Sequence, residues 1–156
     1  MKKIVSMFLA LVLVFQLGIT AFAAEAHTIN MASDDTEASV GDMVYVTVSS
    51  ETAIESTGVQ VFVYYDETAL EFDAAQSTVG TAKDNFALGN PQTNTKGHYV
   101  DFSFINFLQA ETVNAGSYYT MAFKTLKTGD TTVSVGAEVF DANYDQVSVA
   151  TIDTVT

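Results

Sequence analysis

The stretch GVQVFVYYDETALEF, residues 58–72, determines the fold. Its first half alternates with a period of two, so Val59, Val61 and Val63 point to one side of a strand. A half-buried strand usually places polar residues toward solvent, yet the other side carries Phe62 and Tyr64. That side is therefore a candidate contact surface. A loop, a terminal strand or a second copy of the chain could also cover it.

Asp66 ends this strand, because its side chain can accept hydrogen bonds from nearby backbone amides in a turn. Ala69, Leu70 and Phe72 then return apolar chain to the core. The stretch predicts a strand, an Asp-initiated turn and a second strand.

The rest of the chain contains further strand patterns and, after the N-terminal segment, no helix-period stretch. Further strands are expected at residues 27–33, 43–49, 85–88, 98–107, 117–126, 131–140 and 148–155, with loops at 50–57 and 109–115, a hairpin turn at 94–97 and a weak pattern over 73–96. Strands separated by turns predict an all-β sandwich of eight or nine strands. The expected core residues are Val44, Val46, Val48, Val59, Val61, Val63, Leu70, Phe72, Val100, Phe102, Phe104, Met121, Phe123, Val133 and Val135.

Residues 1–23 have the pattern of a cleaved signal peptide. Two lysines precede an apolar run over residues 4–17, and Ala-Phe-Ala at 21–23 fits a cleavage site. A retained membrane anchor is the alternative, but the run is shorter than the roughly 20 residues that span a bilayer. We expect export and a single domain over residues 24–156.

The charge is strongly acidic. All 19 acidic residues follow residue 23, against four lysines, and the net charge of the whole chain is −13. Nucleic acid and anionic membranes would be repelled, whereas a basic partner would be attracted. The acidity could also serve solubility alone. With no cysteine in the chain, stability must come from packing.

One acidic segment resembles the start of a calcium-binding loop. Asp141, Asn143 and Asp145 have the spacing of the first ligands, but the later Gly and Glu of such loops are replaced by Gln146 and Ile152. An Asx-rich turn is the favoured interpretation.

No motif for catalysis is present. The two histidines, His27 and His98, stand alone, and no nucleophile-elbow, phosphate-loop or paired-acid pattern occurs. Two carboxylates could still meet in space, as glycoside hydrolysis requires. The sequence predicts no catalytic residue, no metal ligand and no cofactor on this chain.

Five segments together resemble a bacterial cohesin domain, in the order and spacing of that family. They are GDMVYVTV at 41–48, GVQVFVYYDETALEF at 58–72, KGHYVDFSF at 96–104, GSYYTMAFKTLKTGDTTVSV at 116–135 and FDAN at 140–143. The resemblance covers nearly all of residues 24–156. It implies a nine-stranded jelly-roll sandwich that binds dockerins, the calcium-loaded helical modules of cellulosomal enzymes.

Cohesins bind dockerins on a sheet formed by their strands eight, three, six and five. By resemblance, the dockerin-binding residues would be Gln60, Phe62 and Tyr64 on strand three and Asp101, Ser103, Ile105 and Asn106 on strand six. Gly58 and Gln60 replace polar Asn and Asp residues of some cohesins, so the resemblance does not imply binding of the best-known dockerin types. Strand five cannot be aligned, and the facing of Glu138 and Val139 on strand eight is ambiguous.

The resemblance implies a non-catalytic, secreted module that assembles an extracellular polysaccharide-degrading complex. Its partners would be dockerin-bearing proteins, with calcium on the dockerin. We expect a monomer with no membrane insertion after cleavage.

Two other classes remain open. A carbohydrate-binding module would stack sugars on tyrosines, with Tyr64, Tyr99, Tyr118 or Tyr144 replacing the missing tryptophan. A pilus-like subunit with a Lys-to-Asn crosslink would need Lys124 buried, but Lys124 follows an inward residue and should point outward.

Overall fold

The computed structural model describes residues 26–153, so the predicted signal peptide lies outside the described residues. Within this range the chain has eleven strands and no helix that could cross a membrane. The strands are β1 His27–Ser33, β2 Met43–Ser50, β3 Ile54–Tyr64, β4 Leu70–Val79, β5 Ala87–Leu88, β6 Gln92–Asn94, β7 Gly97–Ile105, β8 Glu111–Val113, β9 Gly116–Thr125, β10 Ser134–Asp141 and β11 Val149–Asp153.

The strands form two sheets. The first has the order β11-β1-β2-β9-β4, and the second has the order β10-β3-β7-β5. The short strands β6 and β8 pair with β7 and β3 at the margins of the second sheet. Only β1 and β11 run parallel among the described pairs. The predicted all-β sandwich is confirmed, with nine strands along the two sheet paths.

The core fills the space between the sheets and follows the predicted alternation. Val59, Val61 and Val63 of β3 are fully buried, as are Val100 and Phe102 of β7 in the same sheet. Each such side chain stabilises the fold by about 1.5–3 kcal/mol relative to exposure. All the predicted core residues are buried except Phe72, which is partly buried against the core.

A β-bulge in β9 explains a residue that the alternation misses. Tyr119 pairs with Val48 and Ser117 pairs with Ser49, which leaves Tyr118 as the extra residue of the bulge. Tyr118 and Tyr119 are therefore both buried. The expectation that Tyr118 could serve as an exposed sugar platform is wrong.

The buried Tyr118 hydroxyl lies 2.9 Å from Nε2 of His27, which is only 6% exposed. Nδ1 of the same ring lies 3.5 Å from the hydroxyl of Thr52. Burial raises the pKa of Tyr118 to about 12 and lowers the pKa of His27 below its usual value. The pair thus fills a core position as two neutral, mutually hydrogen-bonded rings.

Two predicted loops contain strand. Residues 50–57 include the start of β3, because Ile54 pairs with Val113 of β8, which itself lies in the predicted loop 109–115. β4 also extends to Val79 across a register shift between Asp73 and Thr78. Pairing that short, or interrupted by extra residues, gives no regular alternation in the sequence.

The Asp66 turn forms as predicted. Its Oδ1 accepts hydrogen bonds from the backbone N and the hydroxyl of Thr68, at 2.9 and 2.7 Å. Oδ2 accepts one from Nζ of Lys127 at 3.1 Å. The bonds from Thr68 and then from Lys127 hold the pKa of Asp66 at about 2. The turn directs Leu70 back into the core.

We predict that His27 makes the fold sensitive to mild acid. Below about pH 6.5 the unfolded chain protonates this histidine while the folded chain, whose His27 pKa is lowered, does not. The free energy of unfolding should therefore fall between pH 7.5 and 5.5, with a slope of up to about 1.4 kcal/mol per pH unit from this group. Urea unfolding at each pH measures it.

The matched variants are His27→Gln, which keeps a hydrogen-bonding group beside Tyr118 but cannot titrate, and His98→Gln. We expect His27→Gln to flatten the pH dependence and His98→Gln to retain the slope due to His27. An unchanged slope in His27→Gln would contradict the prediction.

Candidate binding face

The outer surface of the β10-β3-β7-β5 sheet brings together six of the seven predicted site residues. β3 and β7 are antiparallel neighbours in a continuous register, so their outward residues lie side by side. The facing pairs are Tyr64 with Tyr99, Phe62 with Asp101, Gln60 with Ser103, and Gly58 with Ile105. β10 borders β3 on the other side, and β5 borders β7.

β10 and β5 complete the face at the positions that the sequence left open. Val139 is fully buried and Glu138 is exposed beside its partner Gln60, which settles their facing. At the other border of the face, Ala87 of β5 pairs with Ser103 of β7.

Three rings form an aromatic cluster at one end of the face: Phe62, Tyr64 and Tyr99. Ring centroids are 5.5 Å apart for Phe62 and Tyr99, and 5.6 Å apart for Tyr64 and Tyr99. The Tyr64 hydroxyl accepts a bond from Nδ2 of Asn94 at 3.3 Å, and Nζ of Lys96 lies 6.0 Å from its ring centroid. The three side chains support one another and remain half-buried.

A polar centre lies beside the aromatic cluster. Nε2 of Gln60 donates a hydrogen bond to Oδ2 of Asp101 at 2.9 Å, so the two predicted site residues restrain each other. Oδ1 of Asp101 is buried and has no hydrogen-bond partner among the described residues. This oxygen packs against Gly89: a Cβ atom at position 89 would lie only 2.1 Å from Oδ1 of Asp101. Glycine is therefore required for this close approach.

Asn106 shapes a loop rather than presenting a free side chain. Its Oδ1 accepts a hydrogen bond from the backbone N of Leu108 at 2.9 Å, and its Nδ2 donates to Oε1 of Glu111 at 2.6 Å. Glu111 also accepts from Nζ of Lys83 at 2.6 Å, and this bond is the main cause of its lowered pKa. The backbone N of Asn106 donates to the carbonyl of Thr57. The side chain of Asn106 is therefore engaged within the loop that follows β7.

Two exposed apolar residues that strand alternation does not single out lie beside the Asn106 end of the face. The alternation predicts Phe107 as the last residue of a strand over 98–107, but β7 ends at Ile105. Phe107 and Leu108 lie in the following loop with 78% and 93% of their surface exposed. Two large apolar residues in a row between Asn106 and Gln109, both polar, are the signal that the sequence offers.

The segment 141–145 forms the predicted Asx-rich turn. Oδ1 of Asp141 accepts hydrogen bonds from the backbone N of Asn143 at 2.7 Å and of Asp145 at 3.0 Å. Among residues 26–153, no group of three or more His, Asp or Glu side chains is arranged to hold a metal ion. Lys124 is exposed, as expected from its position after Phe123.

No family model and no curated protein matches the chain. Solved structures do match. A type II cohesin domain from the cellulosome of Acetivibrio cellulolyticus is 21% identical with a TM-score of 0.62, over 82% of this chain and 92% of that one. A cohesin in a type II cohesin–X–dockerin complex of the same organism is 18% identical with a TM-score of 0.60, over 81% and 95%.

A non-cellulosomal cohesin from the archaeon Archaeoglobus fulgidus is 20% identical with a TM-score of 0.59, over 81% of this chain and 87% of that one. At these identities the likeness shows a shared fold. The jelly-roll sandwich implied by the resemblance is therefore confirmed.

We predict that Gly89→Ala destabilises the protein and disturbs Asp101. The new methyl group would overlap Oδ1 of Asp101, so the β5–β6 segment or the carboxylate must move, at a cost of about 1–3 kcal/mol. Urea unfolding measures the loss. Gly136→Ala on β10 is the control, because its Cβ would lie 3.5 Å from the Tyr64 ring, an ordinary contact. Equal stability of the two variants would contradict the prediction.

Proposed function

We propose that this chain is an exported, non-catalytic module that binds dockerin domains through its β10-β3-β7-β5 face. It thereby joins dockerin-bearing enzymes into an extracellular polysaccharide-degrading complex. The contact residues are Gln60, Phe62, Tyr64, Asp101, Ser103 and Ile105, with Asn106 holding the adjoining loop. Calcium belongs to the dockerin, and this chain carries no cofactor.

The observation that carries the proposal is the aromatic cluster on the outer face of a rigid sheet. Phe62 and Tyr64 lie where a folded monomer usually places polar residues, and both are held by β10 and β7 on either side. Rigid aromatic side chains lose little conformational entropy on binding and dominate the energy of many interfaces. A cohesin of the same fold was crystallised in a complex with a dockerin.

The electrostatics of the face fit a protein partner. Glu138 is exposed beside Gln60, Asp101 lies next to it, and the whole chain has a net charge of −13. Such a surface increases the rate of association with a partner that carries basic residues and repels anionic polymers.

The geometry of the rings argues against a sugar-stacking platform. The planes of Phe62 and Tyr64 are inclined by only 26° to each other. The Tyr99 ring beside them, however, is inclined by 72° to Phe62 and by 52° to Tyr64, so the three rings form no single flat strip. Pyranose rings stack on flat aromatic faces. Carbohydrate binding is therefore the competing outcome of the experiment below and not part of the proposal.

The experiment is a binding screen of the purified protein against the dockerins of its own genome, with and without calcium, beside a panel of insoluble polysaccharides. Saturable dockerin binding that is lost on calcium removal is the expected result. Binding to polysaccharide alone would overturn the proposal in favour of a carbohydrate-binding module.

Within this function, Phe62→Ala and Tyr64→Ala should each weaken dockerin binding by about 1–4 kcal/mol, because each removes a central aromatic anchor. Isothermal titration calorimetry measures the change. Tyr45→Ala is the control, since Tyr45 is a half-buried aromatic residue on β2 of the opposite sheet. Unchanged affinity in both face variants would place the interface elsewhere.

A further inference from the structure

We propose that the dockerin is held at two separate ends of the face, by the aromatic cluster and by an apolar end around Phe107 and Leu108. This inference rests on the proposed function and specifies the partner: a dockerin helix with apolar side chains about four turns apart. The apolar end comprises Ile105, Phe107, Leu108, Phe140 and Tyr144.

The apolar end differs from the rest of the described surface in how far its large hydrophobic side chains are exposed. Leu108 and Phe107 are the most exposed of the large hydrophobic residues in the described chain, at 93% and 78%. Ile105 and Tyr144 add side chains that are 54% and 53% exposed. Clustered apolar exposure of this kind marks an interaction site more often than scattered single residues do.

The loop that carries this exposure is held in place. Asn106 caps the backbone N of Leu108, and the Tyr144 hydroxyl donates a hydrogen bond to the carbonyl of Phe107 at 2.9 Å. Tyr144 itself has a positive φ of 67°, within the Asp141 turn. The two apolar side chains are thus presented by a preorganised backbone, which reduces the entropy lost on binding.

The apolar end is continuous with the proposed face. Ile105 and Phe140 flank Gly58 on the outer side of the sheet, since a Cβ at Gly58 would lie 3.8 Å from a side-chain atom of each. Phe140 is only partly buried.

The distance between the two ends fits a helical occupant. Tyr99 in the aromatic cluster and Ile105 lie six residues apart on β7, which corresponds to about 20 Å at 3.3 Å per residue. A helix covers that length in about 13 residues. Dockerins are helical modules, so one dockerin helix along β7 can reach both ends and place polar residues over Gln60 and Asp101.

A second copy of this chain is a poorer occupant than a dockerin. Each copy has a net charge of −13, and Glu138 is exposed on the same face. Two such faces in contact would bring like charges together, which disfavours association.

The test measures dockerin affinity for Phe107→Ser, Leu108→Ser and the double variant, using a dockerin that binds the unmodified protein in the screen. Val40→Ser is the control, because Val40 is a 53% exposed apolar residue in the loop before β2 of the opposite sheet. We expect the double variant to lose at least about tenfold in affinity, and the control less than about twofold.

Combination with Phe62→Ala tests whether both ends bind at once. Because the ends are far apart, the losses in binding free energy should add. Thermal unfolding checks that each variant folds, and we expect little change because the replaced side chains are exposed.

The outcomes separate the two proposals. Unchanged dockerin affinity in the double variant, together with weakened binding in Phe62→Ala, would overturn the two-ended contact and leave the dockerin function standing. Loss of a concentration-dependent dimer in the double variant, with dockerin affinity unchanged, would assign the apolar end to self-association and also overturn the inference. No dockerin binding by the unmodified protein would overturn both.

Discussion

The register of β3 is the constraint on which the rest of the structure depends. β3 lies between β10 and β7, so its hydrogen bonds fix both neighbours, while Val59, Val61 and Val63 attach the sheet to the core. A slip by one residue would bury Phe62 and Tyr64 and expose the valines. Three fully buried β-branched residues on one side make that slip costly. The proposed contact surface is therefore positioned by the packing on the opposite side of the sheet.

This arrangement also separates the residues that stabilise the fold from those of the proposed contact surface. The inward residues of β3 and β7 are closely packed, so the outward residues can change without loss of the core. Within the face, Gln60 and Asp101 restrain each other, and the aromatic rings contact one another. A face restrained in this way loses little conformational freedom when a partner binds.

The sequence predicts those features that depend on residues close together in the chain, and it fails where the interacting residues are far apart. Alternation along β2, β3, β7 and β9 predicts the inward residues because each strand repeats one simple period. The Asp66 turn is equally local. Tyr118 could not be placed, since a bulge shifts it to the inner side and its partner His27 is 91 residues away. β8 has only three residues and exists because β3 is extended toward it.

The candidate face likewise combines features that local alternation predicts with contacts between distant segments that it does not. The sequence places Gln60, Phe62, Tyr64, Asp101, Ser103 and Ile105 on the outward sides of two strands, and their antiparallel pairing brings them together. It does not reveal that Gly89 packs on Asp101, because that contact joins separate segments.

Asn106 shows the limit most clearly. An asparagine at a strand end is equally compatible with a contact residue and with a turn. Only its bonds to Leu108 and Glu111 show that it shapes the loop. That loop carries Phe107 and Leu108, so Asn106 holds in place two exposed apolar residues that the alternation could not identify. Within the proposed interface, this end of the sheet thus depends on loop geometry, whereas the aromatic cluster depends on strand register.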